Sequence, residues 1–134
     1  MDAASLKGIP IFSQLSRRDR KRVAQHADQI DLDPGTHLTD SGQVAQELFV
    51  IVTGTADVFD GEQKIAQVGP GDVIGEIGLL ETTRRIATVV ATSSIHAIVI
   101  NGPELRAFRE SAPQLFTRLQ ELVEERLRKA VDST

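Results

Sequence analysis

Between Gln29 and Asn101 the apolar residues arrive in short runs, each stopped by turn chemistry: Asp33-Pro34-Gly35, Ser41-Gly42, Thr53-Gly54, Asp60-Gly61 and Gly69-Pro70-Gly71-Asp72. Eight of the ten glycines lie between positions 35 and 78. Turn signals at a spacing of roughly 8–12 residues predict short antiparallel strands folded as a sandwich, roll or barrel. The runs place strands at 29–32, 36–39, 47–52, 55–59, 63–68, 85–92 and 94–100, with Val73-Ile74 as a short eighth. Helical texture flanks this region. Ser16 is placed as N-cap and Asp19 in the first turn of a helix running to Ala27, with a thin apolar side of Val23, Ala24 and Ala27. Asn101-Gly102-Pro103-Glu104 opens another, to about Glu110, with proline near its first position. A last helix runs over 113–131 and carries Leu115, Phe116, Leu119, Leu122, Val123, Leu127 and Ala130 on one broad stripe. At 1.5 Å per residue that is a rod of about 28 Å. Such a rod covers something or pairs with a copy of itself, and Leu119, Val123 and Leu127 are its expected contacts in a homodimer.

The 134 residues, 40% hydrophobic and 25% charged, suit one globular domain spanning 1–134. The longest apolar runs, Leu48-Phe49-Val50-Ile51-Val52 and Ala97-Ile98-Val99-Ile100, fall far short of the roughly 18 residues of a membrane span, so no membrane is expected as a partner. There is no cysteine, which removes disulfides and thiolate metal sites, and the start lacks the basic and apolar segments of a secretory signal. A cytoplasmic setting is the expectation.

Charge is unevenly placed. Net charge is −4, yet Lys7, Arg17, Arg18, Arg20, Lys21 and Arg22 stand against only Asp2 and Asp19 in the first 25 residues. Without interleaved aromatics this basic cluster reads as a solvated helix face, and direct nucleic-acid binding is not expected. Residues 26–100 hold eleven acids and three cations, Lys64, Arg84 and Arg85. An arginine pair inside an acidic segment points to an oxyanion, because guanidinium is a permanently charged fork that matches phosphate or carboxylate.

The segment holding that pair is Gly71-Asp72-Val73-Ile74-Gly75-Glu76-Ile77-Gly78-Leu79-Leu80-Glu81-Thr82-Thr83-Arg84-Arg85-Ile86-Ala87-Thr88-Val89. Its glycines allow a backbone to approach a ligand, and the amides of Glu76, Ile77 and Gly78, set in one helical turn, form an anion nest. Glu76 repels phosphate but accepts from a hydroxyl, as acidic residues do for ribose. Phosphate plus ribose hydroxyl means a nucleotide. A structural Glu76–Arg85 ion pair is the alternative reading of the same residues.

Gly75-Glu76-Ile77-Gly78-Leu79-Leu80, four residues, then Arg85-Ile86-Ala87-Thr88-Val89 resembles the phosphate-binding cassette of cyclic nucleotide-binding domains. The likeness extends over about residues 5–132. It implies a mainly β (α+β) fold, an antiparallel eight-stranded β-roll or jelly roll with a short N-terminal helix and two C-terminal helices: helical 5–27, roll 28–101 with the cassette at 71–89, helices 102–132. It further implies that Arg85 grips the cyclic phosphate, that Glu76 accepts from the ribose 2′-OH, and that the amides of Gly75, Ile77, Gly78 and Ile86 complete the cradle. Three positions depart from the family pattern. Ile74 replaces a common Phe, Arg84 replaces Pro, and Ile86 stands where cGMP-preferring members often carry Thr or Ser, which favours cAMP over cGMP as the ligand. Arg126 reads as an exposed helix charge, and the resemblance offers it a second role as a lid over the purine.

No enzyme is expected. A cupin-like metalloenzyme needs clustered ligands, whereas His26, His37 and His96 stand apart, each as a surface or cap histidine, and no Gly-x-Ser-x-Gly elbow occurs. No cofactor and no metal are expected. The expected function is a cyclic nucleotide sensor signalling through its last helix, to a second copy or to an effector protein, either alone or as the regulatory part of a longer protein. A ligand-independent interaction module with a degenerate cassette is the alternative.

Overall fold

The run Leu48-Phe49-Val50-Ile51 is uninterrupted by polar residues because both of its faces are covered. In a strand successive side chains point to opposite sides. Here Leu48 and Val50 join a cluster made largely by the helices, while Phe49 and Ile51 join a second cluster inside the roll. Ile98 and Ile100 against Ile95 and Ala97 repeat the pattern, as do Val73 against Ile74.

The computed structural model describes residues 1–43, 47–74 and 87–132, with the side chains of the last helix described as far as Leu122 and again at Glu125. A 3₁₀ turn, Ala3–Leu6, leads to α1 (Pro10–Ser13) and α2 (Arg17–Ala24). The strands are β1 (Asp28–Leu32), β2 (His37–Thr39), β3 (Glu47–Thr53), β4 (Ala56–Asp60), β5 (Gln63–Val68), β6 (Val73–Ile74), β7 (Thr88–Ala91) and β8 (Ile95–Asn101). Helices α3 (Gly102–Ser111) and α4 (Pro113–Asp132) close the chain. All strand pairs are antiparallel, in two four-stranded sheets ordered β1-β8-β3-β6 and β2-β7-β4-β5. This is the expected mainly β architecture, eight strands with helices on either side. Among the described residues no helix is long and apolar enough to cross a membrane.

Local chemistry sets the helix ends. Ser16 Oγ accepts from the Asp19 N–H at 3.1 Å, the expected cap, and Asn101 Oδ1 accepts from the Glu104 N–H at 2.9 Å, which caps α3 in the same way. Helix α2 ends three residues before the expected Ala27. The N–H groups of Gln25 and His26 turn back to the carbonyls of Arg22 and Val23, which tightens the chain toward β1 and buries Ala27. His26 then meets Glu104 on α3 at 2.7 Å, and its ring lies 5.5 Å from that of Phe108. Phe108 in turn stands edge-on to Phe116 of α4 at 5.9 Å, so one aromatic chain joins the end of α2 to both C-terminal helices.

The expectation that Leu119 serves a dimer is corrected. Leu115, Phe116, Leu119 and Leu122 are all buried against the rest of this chain, Leu119 to 2% exposure, because the first part of α4 lies on α1, α3 and β6. The stripe is wide because its first turns face inward. Val123 and Leu127 lie outside the described side chains.

Candidate functional site

The sequence places its ligand chemistry in the connection from β6 to β7, and these strands belong to different sheets. Of the expected site residues, Gly75, Glu76, Ile77, Gly78, Arg85 and Ile86, and Arg84 beside them, lie outside the described residues, as does the side chain of Arg126. What the structure describes is the frame that carries the two ends of this connection.

The upstream end is fixed to the first sheet. Gly71 holds φ +88°, a conformation open to glycine, and its N–H donates to the Ile51 carbonyl at 2.7 Å. The Asp72 carbonyl accepts from the Ile51 N–H at 3.0 Å, and the Asp72 carboxylate accepts from the Gly69 N–H at 2.8 Å. Asp72 therefore closes its own turn and sets the register in which Val73 faces Val50 and Ile74 faces Phe49. Ile74, where the family commonly has Phe, is buried inside the roll.

The downstream end is fixed to the second sheet. Thr39 is the one buried polar side chain among the described residues, and its hydroxyl donates to the Ala87 carbonyl at 3.0 Å. The Ser41 N–H donates to Thr88 Oγ1 at 3.0 Å. The end of β2 thus holds the two residues that follow the connection. Sequence reasoning missed Thr39, Ser41 and Asp72 as supports. A hydroxyl at an inward-facing strand position was the available signal for Thr39.

Electrostatics narrows what meets an anion here. Among the described Lys and Arg side chains of the roll there is only Lys64, and its ammonium lies 3.2 Å from Asp57 Oδ1, a carboxylate oxygen without a hydrogen bond. Within residues 26–100 the remaining cations are Arg84 and Arg85. The described histidines are each matched to a carboxylate: His26 to Glu104 at 2.7 Å, His37 to Asp40 at 2.6 Å, and His96 to Asp31 at 2.8 Å. Among the described residues no three metal-ligating groups come together.

A sequence profile of the cyclic nucleotide-binding domain matches residues 29–112. A cGMP-dependent protein kinase from Toxoplasma gondii is 32% identical over 114 residues, 85% of this chain and 11% of that protein. A cAMP-dependent protein kinase regulatory subunit from Hypocrea atroviridis is 29% identical over 90 residues, 67% of this chain and 20% of that protein. The crystal structure of a cyclic nucleotide-binding domain from Methylobacillus flagellatus KT matches with a TM-score of 0.80 over 98% of this chain and 83% of that one, at 23% identity, a likeness of fold. The chain spans less than a third of the length of the curated relatives it matches.

Proposed function

The chain belongs to the cyclic nucleotide-binding domain family, and from that premise we propose that it is a non-enzymatic cytoplasmic sensor, one domain over 1–134, that binds cAMP in preference to cGMP. The observation that carries this reading is the match through residues 75–86 in a chain whose roll region holds no other arginine than Arg84 and Arg85. Arg85 grips the cyclic phosphate, Glu76 accepts from the ribose hydroxyl, and the amides of Gly75, Ile77, Gly78 and Ile86 complete the cradle. Ile86 offers guanine no hydroxyl. Arg126, four residues past the last described core position of α4, is the candidate lid over the base.

The output runs through α4. Its inner turns are part of the core, so the stretch beyond Leu122 is what remains to meet an effector or a second copy. The kinase relatives support a regulatory setting of this kind.

Scanning calorimetry with cAMP and with cGMP tests the proposal. At a hundred times the dissociation constant a ligand specific for the native state adds about 2.7 kcal/mol. For 134 residues this raises Tm by roughly 10 °C. Arg85→Ala removes a charge-assisted contact and is expected to cost about thirty-fold or more in affinity. Glu76→Ala is expected to cost less and to erase the preference for ribose over 2′-deoxyribose. A wild-type Tm indifferent to millimolar cAMP and cGMP overturns the sensor reading in favour of a ligand-independent interaction module.

A further inference from the structure

The N-terminal 3₁₀ turn and α2 enclose an open groove of about 1120 Å³ whose rim carries Lys7, Arg17, Arg18, Arg20 and Lys21, with Asp2 as its one acid. Arg20 reaches the Leu15 carbonyl. Among the described residues, the other four cations enter no ion pair, and all four are exposed.

This arrangement opposes the stability of the fold in two ways. Arg17 and Arg18 are the first two residues of α2, at the positive end of the helix dipole, where cations are disfavoured. Arg17 and Lys21 are four apart on one helix face, a like-charge pair that destabilises. Asp19 in the same first turn offsets part of the first cost, and the like-charge pair has no ion-pair partner among the described residues. An incoming anion offsets both.

We propose that this groove docks an acidic peptide segment of a partner protein, with its carboxylates on the Arg17, Arg18 and Lys21 side chains. Charge complementarity is the ground for this occupant, and the guanidinium fork accommodates a carboxylate through two parallel hydrogen bonds. The lining includes the small side chains of Ala4 and Ala24, which let an extended backbone lie close. A nucleic acid is disfavoured because no aromatic side chain lines the groove for bases to stack on. A bilayer is disfavoured because the only large apolar side chain exposed among the described residues, Ile65, is on β5. The proposal does not depend on nucleotide binding.

Fluorescence anisotropy with a labelled ten-residue glutamate peptide tests it, beside a thymidine oligonucleotide of equal charge and vesicles containing phosphatidylserine. Each exposed ion pair is worth about 1.5- to 5-fold. The triple substitution Arg17→Gln, Arg18→Gln, Lys21→Gln is therefore expected to weaken peptide binding by about threefold to a hundredfold at low salt. It is also expected to leave Tm unchanged or raise it by relieving repulsion. Arg106→Gln with Arg109→Gln, exposed on α3, is expected to leave peptide binding intact. The proposal is overturned by peptide binding that the triple variant keeps, by a Tm that falls several degrees on neutralisation, which marks a structural cluster, or by tighter binding of the oligonucleotide or the vesicles than of the peptide.

Discussion

Thr39→Val preserves the shape of the one buried polar side chain among the described residues and deletes only its hydroxyl, so the variant isolates a single hydrogen bond. That bond runs from Thr39 Oγ1 to the Ala87 carbonyl at 3.0 Å, directly after the connection proposed to carry the ligand chemistry. A buried carbonyl left without a donor costs about 1–3 kcal/mol. Ala87 is half-buried and water reaches part of it, which places the cost near the lower end, at about 1–1.5 kcal/mol. Unfolding 134 residues carries an entropy of about 0.28 kcal/mol/K, so Tm is expected to fall by about 4–5 °C. On the proposed function, the arrangement that binds nucleotide also loses population when its downstream anchor loosens. Affinity for cAMP is expected to weaken by up to about fivefold. Thr55→Val is the control. Thr55 Oγ1 lies 2.7 Å from Thr92 Oγ1 at the opposite end of the roll, so this variant is expected to lower Tm and leave affinity unchanged. Calorimetry for Tm and isothermal titration for affinity read both outcomes. A Thr39→Val protein that melts within about 1 °C of wild type and binds equally well refutes the anchoring argument.

At Gly54, φ is +97° and an added Cβ would lie 2.3 Å from the Ser94 carbonyl oxygen, so Gly54→Ala combines backbone strain with a backbone clash. A cost of about 2 kcal/mol or more is expected, seen as a urea midpoint lower by about 1 M, and an unchanged midpoint contradicts it. Asn101→Ala deletes the acceptor for the Glu104 N–H and is expected to cost about 1 kcal/mol by denaturant titration, while Asn101→Asp keeps the cap and most of the stability. If Ile86 governs base choice, Ile86→Thr narrows the gap between cAMP and cGMP affinities measured by titration calorimetry, and an unaltered ratio removes Ile86 from that role.

Local chemistry was legible in the chain. Ser16 caps the helix it was expected to cap, α3 opens at the expected Asn101-Gly102-Pro103-Glu104, the Gly-bearing turns separate the strands, and even the two-residue β6 falls at Val73-Ile74, because each depends on neighbours a few residues away. The double burial of β3 and β8 was not read, since an apolar run says that both faces are covered without saying by what. The inward use of Leu119 was misread for the same reason: amphipathicity gives a face, and only packing gives its partner. The carboxylates that meet His26 and His96 are 78 and 65 residues away in sequence, beyond any local pattern. At the candidate site, the motif and its spacing were legible, whereas the supports at Thr39 and Ser41 arise from register between strands that are distant in the chain, and Asp72 joins a local turn bond to a backbone contact with distant Ile51.

The outer edge of the second sheet has a practical use. Strand β5 pairs only with β4, and the turn that joins them, Asp60, Gly61 and Glu62, is fully on the surface and reaches neither apolar cluster. A fluorescent protein spliced in at Gly61, paired with a dye at the far end of α4, makes a two-colour reporter whose fixed arm is seated at the outer edge of the second sheet. Energy transfer between the two labels then tests whether α4 shifts against the roll, in a cell as well as in a cuvette.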